Sequence, residues 1–171
     1  VSNSYQRKVI QLIASYGLAN AQAAVEAQAR PNRPILSRCL AMLENESGGR
    51  NVFGGEGSAC PAEWYEQDVT EERYVVYRER RDRGMTPNGV GPTQITDPSL
   101  QIQAQELGGC WKPVCNMDVG FGFLHQLVEE HGPEEGFRSY NGSGPAAVAY
   151  GERAMRWAEI WHDRFVAHGL A

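Results

Sequence analysis

The sequence predicts a mainly α fold with at most a minor β-hairpin. Two observations carry this. Apolar residues recur at i, i+3, i+4 and i+7 in several separated stretches, as on helices with one buried face. Between those stretches fall Gly- and Pro-containing segments with the chemistry of helix stops and starts. The length of 171 residues, with 42% apolar and 22% charged residues, fits one globular domain over 1–171, with a charged insert at about 61–84.

Taken in order, Tyr5 to about Ala29 reads as a first helix. Val9, Leu12, Ile13 and Tyr16 share a face, and the Ala-rich continuation has high helix propensity. Pro31 and Pro34 break it. The next stretch, Leu36 to Gly49, puts Leu36, Cys39, Leu40 and Leu43 on one stripe, which three residues later reaches Glu46 before the stop at Gly48-Gly49. Glu44, about 200° around the helix from Glu46, points elsewhere. Val52 to Pro61 is a glycine-rich loop, and Pro61 to Gly84 a charged, helical stretch. Met85 to Pro98 reads as a loop or short hairpin. Asp97-Pro98 supplies an N-cap and first turn for a helix to Leu107. Helices are then expected over Asn116–His131, as a short helix after Gly132-Pro133 that ends in Ser139-Tyr140-Asn141-Gly142, and over Ala146–His168, the last with Trp157, Ile160, Trp161 and Phe165 on its core side. His131 reads as a charge near a helix C-terminus.

Composition excludes several classes. A net charge of −5 and a basic run, Arg78 to Arg83, interleaved with acids argue against a nucleic-acid partner. No apolar run approaches the length of a membrane span, and no signal peptide opens the chain. Its first residue is Val, so a module cut from a longer protein is expected, acting as a monomer. Cys39, Cys60, Cys110 and Cys115 form no zinc pattern with the histidines, so no metal or cofactor is expected. Cys39 belongs to the core stripe; Cys110 and Cys115 either close a small disulfide loop or remain buried thiols.

Glu46 is the residue with chemical promise. Partial burial and the negative end of a helix dipole both disfavour a carboxylate, and a carboxylic acid kept protonated near neutral pH is what a general acid requires. Three segments then read together. Glu46-Ser47-Gly48-Gly49 resembles the Glu-Ser motif that closes the catalytic helix of the soluble lytic transglycosylase and goose-type lysozyme superfamily. Gly91-Pro92-Thr93-Gln94-Ile95 is similar to that family's Gly-x-Met-Gln-Ile/Leu motif, with Thr93 in the methionine place. Asn116 through Gly144 resembles its long segment running from Asn-x-x-x-Gly to Ala-Tyr-Asn-x-Gly. The resemblance covers about Leu36 to Tyr150, without the stretch from Val52 to Gly89, and implies a lysozyme-like helical fold. The insert departs from the family; its Trp64, Tyr65 and Tyr77 either stack on sugars or seat the insert on the core.

The resemblance implies cleavage of the β-1,4 bond between N-acetylmuramic acid and N-acetylglucosamine in peptidoglycan glycan strands. Glu46 would be the proton donor and then the base, with Ser47 fixing the catalytic turn. Gln94 would donate to and accept from a sugar, and Tyr140 and Asn141 would line the groove, the Tyr140 hydroxyl within reach of the carboxylate. A lytic transglycosylase activates the muramyl 6-hydroxyl and gives a 1,6-anhydro product; a muramidase activates water, with a second carboxylate across the sugar. Candidates for that second group are Glu56 and Asp97, the latter also explained as a helix N-cap. The expected setting is the bacterial cell wall, as for the catalytic module of a phage endolysin or related lysin. Outside catalysis, the readings that compete are a cell-wall-binding module without turnover and a helical interaction bundle.

Overall fold

The computed structural model describes residues 3–171; Val1 lies outside them. Among these residues the fold is mainly helical, with eight α-helices and no sheet, only isolated β-bridges. No helix is long and apolar enough to cross a membrane.

The expected long first helix is two. Helix α1 spans Ser4–Ser15 and opens on a reciprocal cap, in which Asn3 accepts from the Gln6 amide at 2.8 Å and Gln6 accepts from the Asn3 amide at 3.1 Å. Helix α2 spans Ala21–Gln28. Between them Gly17 and Asn20 take left-handed backbone, φ +87° and +55°, which ends α1 despite the Ala-rich sequence that follows. The break is held from outside. The Ala19 amide donates to the Gly48 carbonyl at 3.0 Å, and Asn20 Nδ2 to the Gly49 carbonyl at 2.8 Å. Tyr16, expected on the core face, is exposed, whereas Val9, Leu12 and Ile13 are buried.

Helix α3, Leu36–Glu46, buries Cys39 through Leu43 completely and packs above all on the last helix. It stops where expected. Gly48 and Gly49 are both left-handed, at φ +65° and +75°, and the amides of Ser47 and Gly48 both return to the Leu43 carbonyl. Gly49 has no room for a side chain, since a Cβ there would lie 2.3 Å from the Ala19 carbonyl oxygen. Gly49→Ala is therefore expected to cost about 2 kcal/mol in urea unfolding, from backbone strain and the contact together.

The insert is only partly helical. A 3-10 turn at Ala62–Trp64 precedes an irregular stretch, and helix α4 spans Glu71–Asp82. Its aromatics seat it on a core. Tyr74 and Tyr77 are fully buried with Phe53, Val90, Ala104 and Val119, while Trp64 and Tyr65 pack on that cluster from outside. Beneath it, Gln101 of helix α5, Pro98–Glu106, donates to the Ile95 carbonyl at 2.8 Å and accepts from the buried Arg81 at 2.8 Å. Residues 85–97 form a turn rather than a full hairpin, closed by reciprocal amide bonds between Val90 and Ile95 at 3.1 Å.

A second, larger core joins α1, α2 and α3 to helices α6 (Pro113–His131), α7 (Pro133–Asn141) and α8 (Pro145–Ala167). Helix α6 begins at Pro113, ahead of the expected Asn116, and serves both cores: Met117, Phe121, Leu124 and Val128 face one, Val119 the other. The buried stripe of α8 runs Tyr150, Ala154, Ala158, Trp161 and Phe165; Ile160 is exposed and Trp157 only partly covered. All four cysteines are buried free thiols, so Cys110 and Cys115 close no disulfide loop.

Candidate active site

Between the two cores lies an open cleft of about 520 Å³. Glu46 reaches it from the end of α3. Tyr140 and Asn141 reach it from the end of α7, and Gln94 and Thr96 from the turn before α5. The opposite wall is the loop Gly54-Gly55-Glu56-Gly57, with Glu66, Thr86, Pro87 and Gly89. Three segments far apart in sequence thus meet in one cavity.

The partly buried Glu46 receives a hydrogen bond from the Tyr150 hydroxyl, 2.5 Å from its Oε1. Burial pushes the carboxyl up to about 7, while the Tyr150 hydroxyl and the positive charge of Arg153 pull the other way. The group is therefore poised between acid and carboxylate at neutral pH. Tyr150 follows from no motif, and the hydroxyl on Glu46 is its own rather than that of Tyr140. The Tyr140 hydroxyl donates instead to the Thr93 carbonyl at 2.8 Å, and burial above all, then the Glu46 charge, raises its pKa. Tyr150→Phe removes the bond that favours the anion. The alkaline limb of the pH–rate profile is expected to move upward, with activity at pH 7 falling about tenfold as Glu46 loses its orientation.

The buried Ser47 hydroxyl donates to the Pro92 carbonyl at 2.7 Å and ties the end of α3 to the Gln94 turn. Gln94 departs from expectation. Its Nε2 donates to the carbonyls of Val52 at 3.0 Å and Gly91 at 2.9 Å, so its donors hold the two loops together. Only its carbonyl oxygen is left for a ligand. That oxygen leans on Gly54 and Gly89, where a Cβ would come within 2.4 and 2.5 Å of it. Asn141 is exposed on the cleft wall.

The two candidates for a second carboxylate separate. Glu56 is exposed on the wall of the same cavity as Glu46. Asp97 lies outside that lining and caps α5, accepting from the Ser99 amide at 2.7 Å. Sequence reasoning missed Glu66, a third acid of the cavity, whose carboxylate pairs with Arg50 at 2.7 Å. It sits at φ +60° in an irregular stretch with no motif to mark it. Among the described residues no group of three His, Cys, Asp or Glu side chains is arranged to hold a metal ion. No family model, curated protein or solved structure matches the chain.

Proposed function

We propose that this chain cleaves the β-1,4 bond between N-acetylmuramic acid and N-acetylglucosamine in peptidoglycan, with Glu46 as general acid and then base. The observation that carries this reading is a carboxyl raised to about 7, hydrogen-bonded to Tyr150, in a cleft shared with Gln94, Tyr140 and Asn141. A binding module gains nothing from an acid so poised, and an interaction bundle has no use for the cleft.

In the first step the Glu46 proton passes to the bridging oxygen as the glycosidic bond breaks, and positive charge grows on the muramyl ring. The Glu46 carboxylate then faces that charge. As base it takes the proton of the muramyl 6-hydroxyl while that oxygen closes on the anomeric carbon, giving a 1,6-anhydro end and regenerating the acid. The Tyr150 hydroxyl holds the carboxyl in one orientation through both transfers. The hydrolytic reading draws its support from Glu56, which lies on the wall of the same cavity and in that scheme assists a water.

Mass spectrometry of the muropeptides released from purified peptidoglycan tests the proposal. The expected products are lighter by one water per cut than reducing-end muropeptides. Reducing-end products replace the transglycosylase reading with the muramidase one, and an undigested wall removes both.

A further inference from the structure

Helices α4 and α5 enclose a cavity of about 600 Å³, within the range of about 300–1,000 Å³ in which ligand sites fall. It shares no lining residue with the cleft at Glu46. The insert supplies one wall, with Arg78, Glu79 and Arg83 of the mixed-charge run; α5 supplies the other, with Ile102, Gln105 and Glu106. Two kinds of unspent group meet there. Gln105 Oε1 is buried and has no donor among the described residues, so it lacks the bond that a buried acceptor requires. The half-buried Arg78 and the exposed Arg83 make no ion pair or side-chain hydrogen bond among the described residues, and neither do the exposed Glu79 and Glu106. Arg81 is different: buried, it is already held by Asp82 at 2.7 Å and by Gln101 at 2.8 Å.

These groups define the occupant. The planar fork of Arg78 matches a carboxylate, and the Gln105 carbonyl oxygen calls for an N–H. An amide N–H beside a carboxylate is the carboxyl end of a peptide. The carboxylates of Glu79 and Glu106 repel a polyanion and favour a peptide that also carries an amine. Tyr74 and Ile102 add apolar surface for a small side chain. We infer that this cavity binds the carboxyl end of a short zwitterionic peptide, the peptide stem of peptidoglycan, with Arg78 on the carboxylate and Gln105 on the neighbouring N–H. Such stems carry a diamino acid and end in D-alanine, which supplies the amine, the carboxylate and the small side chain. The identity of the peptide rests on the glycosidic reading of the cleft.

The test is calorimetric titration of the full chain with N-acetyl-lysyl-D-alanyl-D-alanine and with its C-terminal carboxamide. The acid is expected to bind about tenfold more tightly than the carboxamide, the scale of one charge-assisted hydrogen bond. Arg78→Gln should erase that difference, and Gln105→Leu should weaken both peptides alike, thermal melts confirming that each variant folds. Equal affinities of acid and carboxamide for the wild type, or a difference that survives Arg78→Gln, overturn the site. Tighter binding of the all-L peptide overturns the assignment to the stem. Muropeptide release from purified peptidoglycan is followed in parallel. Release without peptide binding overturns the peptide site alone, whereas peptide binding without release keeps the site and removes the glycosidic reading.

Discussion

Glu46→Gln is expected to lower muropeptide release by about a thousandfold, the scale of losing a general acid–base. The amide keeps the size of the carboxyl and can still accept from Tyr150, so the substitution removes the proton and little else. The same change is expected to stabilise the fold in alkaline solution. A carboxyl raised from 4.5 to about 7 on folding binds its proton more tightly in the native than in the unfolded chain. The contribution is therefore fully present below pH 4.5 and is lost as pH rises through 7, a difference of about 3 kcal/mol. Glutamine never ionises and does not suffer this loss. Thermal melts should coincide for the two proteins at pH 4, and the variant should melt higher at pH 8. Wild-type release by the variant would remove Glu46 from the chemistry; coincident melts at pH 8 would mean that its carboxyl is not buried as described. Activity should share the pH dependence, declining above about pH 7 as the acid form is titrated away.

Asn116→Ala is expected to be the most damaging change away from the acid itself. Buried at the start of α6, Asn116 accepts from the Thr93 amide at 3.0 Å and the Thr93 hydroxyl at 2.8 Å, and donates to the Val90 carbonyl at 2.8 Å. Alanine leaves those groups buried and unpaired, at about 1–3 kcal/mol for each one not rescued by water. A total near 3 kcal/mol lowers the melting temperature by about 6–12 °C in a domain of this size. Activity should fall with it, because Thr93 carries the carbonyl that receives Tyr140 and adjoins Gln94. Calorimetry and release assays below the melting temperature separate the two effects. A variant that melts with the wild type would show that the Gln94 turn does not depend on Asn116.

The parts of the fold that could be read from the sequence are those fixed by local periodicity and local stops. Helix α3 and its carboxyl at the Gly48-Gly49 stop are of this kind, as is the Asp97-Pro98 cap. The break at Gly17–Asn20 was hidden because propensity favoured helix and the bonds enforcing the break come from Gly48 and Gly49, far along the chain. Tyr150 was hidden differently. The stripe leading back to it from Trp161 passes through Ala158 and Ala154, which carry little hydrophobic weight, so the larger Trp157 and Ile160 drew the face to the wrong side. Extending that small-residue stripe one turn further is the signal that finds it. The spent donors of Gln94 had no such signal, since their partners depend on how two loops meet.

The hydroxyls of Ser47 and Tyr140 end on consecutive carbonyls, those of Pro92 and Thr93. Two helices and one turn thus share a tripod that fixes the acid, its neighbours and the spacing between them. Across the cavity, the wall from Gly54 to Gly57 meets this tripod through the Gln94 bond to Val52 and close packing at Gly54. For engineering, the division falls within the loop: Gly55 and Glu56 can be substituted without breaking the bonds of this tripod, whereas Gly57, at φ +120° and with a Cβ that would lie 2.3 Å from the Pro87 carbonyl oxygen, belongs to the fixed part.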